Sequence, residues 1–157
     1  MYRFVRQTLP ALALALFAQV VFAQTNRAAG NDIERACDGA QSQVELNQCS
    51  GEQYHKADQR LNTVYNNVLR FMQKDLAEAQ QENNADDIKF SRLAIEKLKA
   101  AEKAWIQYRD LHCDAARHEV GGGSMRPMVL GFCMATTTED RIDELKRAYE
   151  TVQRKME

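Results

Sequence analysis

Four cysteines, Cys37, Cys49, Cys113 and Cys133, constrain this 157-residue chain most, because of what precedes them. Arg3 and Arg6 form a positive start. Leu9 to Phe22 is an uncharged run rich in Ala and Leu, and Val21-Phe22-Ala23 places small residues at the positions a leader protease reads. These are the parts of a secretory signal peptide over residues 1–23, cut after Ala23. The alternative is an uncleaved anchor, since nothing charged lies between Arg6 and Arg27. The apolar run is short for a span, however, and contains Pro10 and Gln19. No cysteine near Ala23 could carry a lipid, so no stable membrane anchor is expected after cleavage. The protein should be periplasmic or secreted.

An even cysteine count behind such a leader implies two disulfides in an oxidising compartment. Three pairings are possible. The two sequence-local ones, Cys37–Cys49 and Cys113–Cys133, are favoured, and each closes a short loop worth roughly 3 kcal/mol in the loop-entropy model. No C-x-x-C pair suggests zinc, haem or redox chemistry. His112 and His118 are poorly spaced for a metal, and no metal or cofactor is expected.

Loss of residues 1–23 removes Arg3 and Arg6 from 21 basic residues and nothing from 22 acidic ones, leaving a net charge of −3. That weak acidity argues against a nucleic-acid partner, which calls for a basic stripe. It allows a protein partner.

Residues 24–35 should be a flexible mature N-terminus, with a short helical turn starting near Asn31-Asp32. Ser42-Gln43-Val44-Glu45 has the capping-box pattern that opens a helix. Tyr54, Ala57, Leu61, Val64, Val68 and Phe71 then alternate steps of three and four, which predicts one buried stripe. Ser50-Gly51 should kink or weaken that helix. A polar stretch places the next connection near Asn83 to Asp87. Leu98, Ala101, Trp105, Tyr108 and His112 predict the core face of a second helix ending near Val120. "GGGSMRPMVLGF", residues 121–132, reads as a loop between Cys113 and Cys133. Thr136-Thr137-Thr138-Glu139 reads as the cap of a last helix carrying Ile142, Leu145, Tyr149, Val152 and Met156. No segment alternates with period two. The expected fold is all-α, a small bundle of about three main helices stapled by two disulfides.

"AEKAWIQYRDLHCD", residues 101–114, holds the single tryptophan. Arg109, four residues after Trp105, can lay its stem over the indole and send its head to a carboxylate. Asp58, one residue after the buried Ala57, is the natural partner. Asp110 is set aside because adjacent helical residues point apart. The segment reads as architecture. No enzyme signature accompanies it: no paired carboxylates stand out, Ser124 lacks a matched base, and the glycine run lacks a phosphate-loop lysine. An enzyme is not expected.

Cys37, "SQVELNQC", "YHKADQRLNTVY", "EKAWIQYRDLHC", "GGGS", Cys133 and a last helix through Arg141 and Leu145 together resemble the LprI-like N-terminal domain. This family of small secreted bacterial proteins is named for a lysozyme inhibitor. The resemblance runs from about Ala36 to Tyr149, so 36–157 is taken as one domain. Asp58, Leu61, Asn62, Tyr65, Trp105, Arg109 and Cys113 form its most specific block. It implies a helical, disulfide-bonded, extracytoplasmic protein and, less directly, lysozyme inhibition. The family's name-giving type is a lipoprotein, and this chain departs from it there. The expected function is protein binding, with inhibition of a lysozyme-type cell-wall hydrolase as one reading. An envelope-maintenance or toxin-immunity protein with a different partner is the other. Gly122, Gly123, Ser124 and Arg126 are the candidate contact, since such a tip could enter a cleft and hydrogen-bond its carboxylates. The residues leave the oligomeric state open.

Overall fold

A computed structural model describes residues 32–150, mostly helix with short turns and no strand among them. The leader, its cleavage site, residues 24–31, Val152 and Met156 lie outside the described residues. Three long helices form the bundle: α1 (Gln43–Gln81), α2 (Ala85–Ala116) and α3 (Arg126–Ala148). A helical turn at 32–35 precedes them, where one is expected to start near Asn31-Asp32.

Each helix starts for a readable reason. Ser42 caps α1 by accepting from the Glu45 N–H, while the Glu45 carboxylate accepts from the Gln41 N–H at 2.6 Å. The α1–α2 connection is Glu82 to Asn84, slightly earlier than expected. Asn83 adopts φ 55°, a conformation asparagine tolerates, and the Asn84 side chain caps α2 by accepting from Asp87 N–H. After Ala116 the chain tightens into a 3₁₀ turn, Arg117–Val120, so the helical path ends at Val120 as its pattern indicates. Gly121 at φ 64° then reverses the direction, where a side chain would be strained.

The glycine-rich loop is shorter than its composition suggests. Only 121–125 is non-helical, and residues 126–132 belong to α3. Pro127 sits in the first turn, where its missing N–H costs nothing. Thr136 to Glu139 is therefore mid-helix and does not cap it. Thr138 is fully buried and Glu139 pairs with Arg60 of α1.

Gly131 is tolerated inside α3 because α1 passes close by. A Cβ there would lie 2.8 Å from the backbone carbonyl carbon of Ser50. Ser50 is itself fully buried and donates its hydroxyl to the Asn47 carbonyl. Ser50-Gly51 therefore does not break α1. The helix runs through it, with Ser50 packed against Gly131 and only open space around Gly51, and the α1–α3 contact is the most extensive in the bundle. The apolar centre is Leu61, Val68, Leu98, Ile142 and Leu145, with Val64, Tyr65, Met72, Trp105 and Tyr149 packed against it. Such a core is small, and cross-links suit it. Cys37–Cys49 ties the leading turn to α1, and Cys113–Cys133 ties the end of α2 to α3.

The second stripe needs a correction. Ala101, Tyr108 and His112 are exposed; Tyr108 stacks on His112 at 5.4 Å on the surface. The face of α2 that enters the bundle carries Ile95, Leu98, Glu102, Arg109 and Cys113. Two charged side chains are buried there because other helices supply their counterions.

Candidate functional site

Two places gather polar chemistry. The first surrounds Trp105, which stands half-buried on α2. The Arg109 guanidinium lies over its ring at 5.2 Å and over the Tyr54 ring of α1 at the same distance. Arg109 is buried and donates through Nη1 to Asp58 at 3.2 Å, the partner that the stripe edges indicate. It also bonds Asp110, through Nη2 at 2.9 Å and Nε at 3.0 Å, which corrects the exclusion of that residue. Adjacent Cβ atoms do diverge on a helix, but the arginine stem is long enough to fold back across the gap. Asn62 donates to the other Asp58 oxygen at 3.2 Å. Leu61 belongs to the core beneath, and Tyr65 packs on its edge. Burial, with the nearby Glu102 charge adding to it, raises the Tyr65 hydroxyl pKa above the usual value.

The other half of this cluster escaped the sequence reading. Arg141 of α3 forms a two-pronged bond to Glu102 through Nε at 3.1 Å and Nη2 at 2.9 Å, and a further bond to Glu144 at 2.8 Å. Its guanidinium lies over the same Trp105 ring at 5.7 Å. Burial lowers the Arg141 pKa, but its hydrogen bonds to Glu144 and Glu102, with the charges of both, more than offset this and leave it raised. Glu102, Trp105, Arg109 and Cys113 are spaced by three, four and four, a helical face visible in the sequence once charged residues are admitted to it.

Chemically this cluster binds helices together. Between α1 and α2 it leaves a cleft of about 300 Å³ walled by Asp58, Asn62, Tyr65, Lys99, Lys103 and Arg109. Among the described residues no group of three His, Cys, Asp or Glu could hold a metal ion.

The second place is the turn before α3. Gly121 to Met125 are all exposed. Asn47 of α1 donates to the Ser124 carbonyl at 3.0 Å, and the Arg126 N–H bonds the Gly123 carbonyl at 3.3 Å. Gly122, Gly123 and Ser124 therefore form an exposed turn tied to the start of α1. Arg126 is not at its tip. It opens α3 and is half-buried, with its Nε shielded from water and given no acceptor among the described residues. No side chain caps α3 and its first turn holds no acid, so neither a cap nor a first-turn carboxylate offsets the positive end of the helix dipole.

A broader apolar groove of about 600 Å³ runs between α2 and α3 and is floored by the far part of α1. Phe71, Met72, Phe90, Leu98, Leu145 and Tyr149 are the large apolar residues that line it. No helix among the described residues is long and apolar enough to cross a membrane.

Comparison with known proteins places this geometry. No solved structure matches the chain. An uncharacterized protein of Rhizobium meliloti is 37% identical over 148 residues, covering 94% of this chain and 99% of that protein. A family model described as lysozyme inhibitor LprI matches residues 34–145, which include both disulfides, the Trp105 cluster and the turn at 121–125. The chain belongs to the LprI family.

Proposed function

We propose that this protein acts outside the cytoplasm by binding and inhibiting a lysozyme-type cell-wall hydrolase, with the turn at 121–125 and Arg126 as its contact. The family description supports protein binding of the lysozyme-inhibitor kind. Two disulfides among described residues that contain no free cysteine fit an oxidising compartment.

The observation that carries the choice of surface is the uncapped, acid-free start of α3 beside an exposed turn. Lysozyme-type enzymes work with two carboxyl groups across a cleft. An inhibitor therefore needs a narrow prominence with donors and positive charge. Here Ser124 supplies a hydroxyl, Arg126 a partly desolvated guanidinium, and the helix a positive end. A carboxylate gains more from a charge held away from water than from a fully hydrated one. Exposed Met125 and Val44, at the same end of the bundle, can cover apolar cleft walls.

Turbidity loss of a peptidoglycan suspension, with a c-type lysozyme and the purified mature protein, tests this. Wild type should slow clearing at micromolar concentration, and Ser124→Ala with Arg126→Ala should abolish the effect while leaving the melting temperature nearly unchanged. No inhibition by wild type at micromolar excess removes the lysozyme reading. Inhibition that survives the double substitution moves the contact off the turn.

A further inference from the structure

We infer that α2 pairs with α2 of a second copy of this chain, antiparallel, through an apolar stripe on its solvent side. The inference does not depend on what the turn at 121–125 binds. The stripe is Phe90, Ala94, Lys97, Ala101, Ala104, Tyr108, Leu111 and Ala115, alternating steps of four and three; its first four residues also form the α2 rim of the groove against α3. This spacing keeps one face of a helix against a neighbouring helix. All but the half-buried Ala94 are exposed. Phe90 and Leu111 each leave 73% of their surface in solvent and Tyr108 leaves 56%. Leu93, beside Phe90, is 49% exposed. Meanwhile the bundle buries Glu102 and Arg109 on another face of the same helix.

What identifies the occupant is the order of large and small residues. A two-fold axis between positions 102 and 103 places each residue opposite its own mirror position. Phe90 then faces the partner's Ala115, Ala94 faces the partner's Leu111, and Ala101 faces the partner's Ala104. Lys97 faces the partner's Tyr108, an ammonium against a ring face. Phe90 and Leu111 each meet an alanine, Tyr108 meets the lysine, and the closest approach falls on alanines. An isologous pair requires this self-match of a single surface. The stripe is about 38 Å long on a helix about 10–12 Å across, so its face covers on the order of 400 Å². That falls within the range of the largest apolar patch on a typical monomer, and the roughly 800 Å² covered on two copies is less than a stable interface buries. The dimer is therefore a weak, reversible one.

Sedimentation velocity on the full mature chain, disulfides intact, tests the pairing. Wild type should pass from monomer to dimer as its concentration rises. Leu111→Glu should raise the dissociation constant more than tenfold with unchanged helical content and melting temperature, since that side chain contacts little within its own copy. The register has its own check. Ala94→Leu and Leu111→Ala should each weaken the dimer, and the double substitution should bring it back towards wild type by restoring large against small. A wild type that stays monomeric at millimolar concentration overturns the proposal. So does a Leu111→Glu chain that dimerises like wild type, or a double substitution no better than either single one.

Discussion

The two faces of α2 invert the usual rule. Towards the bundle it presents Glu102 and Arg109 alongside Ile95, Leu98 and Cys113; towards solvent it presents Phe90, Tyr108 and Leu111. The charges are affordable inside because each meets its counterion on another helix: Glu102 finds Arg141 on α3, and Arg109 finds Asp58 on α1. Trp105 lies under both guanidiniums and joins the two pairs. The burial of a side chain here depends on its partners more than on its hydropathy.

The difference can be broken most forcefully at Glu102. Both members of the Glu102–Arg141 pair are about nine-tenths buried. Arg141→Met should cost about 3–5 kcal/mol in urea unfolding by leaving the buried Glu102 carboxylate without its counterion. Glu102→Leu combined with Arg141→Met should recover most of that loss. A double substitution as damaging as the sum of the singles would show that the pair is not coupled.

Arg109→Met should cost less, about 1–3 kcal/mol, because Asp58 and Asp110 keep 38% and 52% of their surface in water and can rehydrate. Combined with Asp58→Ala, it should lose less than the two singles together. Fully additive melting shifts would dissolve the pairing.

Asp140 gives a smaller effect of opposite sign. Burial raises its pKa above the ordinary carboxylate value, and Asp143 and Glu139 add to this against the opposing pull of Arg147. A raised folded-state pKa means the ionised form destabilises the fold, and that penalty fades as pH falls through the folded value towards the unfolded one. Asp140→Asn should therefore raise the melting temperature at neutral pH. The gain should vanish below the ordinary aspartate range.

The smallest effect is expected on the outer face. Tyr108→Ser and Leu111→Ser should change monomer stability by no more than about 0.5 kcal/mol, measured at concentrations too low for self-association. A larger loss at either position would place it in the core after all.

The inverted faces also mark where sequence reasoning stops. The first stripe was legible: Ala57, Leu61 and Val68 are buried, as their spacing requires. The capping box at Ser42 and both disulfides were legible too. On α2 a hydropathy rule selected Ala101, Tyr108 and His112, because it cannot see a counterion 39 residues further along the chain. The start of α3 was hidden for a related reason. Gly131 and Pro127 each weaken a helix when judged alone. One is required by the passage of Ser50, and the other is harmless in a first turn. For the candidate contact, the glycine run identified the turn itself, whereas the burial of Arg126 and the missing cap appear only in three dimensions.

The hydrogen bond from Asn47 to Ser124 has a consequence beyond local geometry. Ordering a free backbone costs roughly 1–2 kcal/mol per residue, so five loose residues would forfeit about 5–10 kcal/mol on docking into any cleft. The 121–125 turn instead hangs between the end of α2 and the start of α3, which Cys113–Cys133 joins, and Asn47 holds it from the side. Much of that disorder is surrendered when the protein folds, before a partner arrives. Under the contact proposed above, Asn47 lowers the entropy that an encounter must still remove, because it holds the turn in place beforehand.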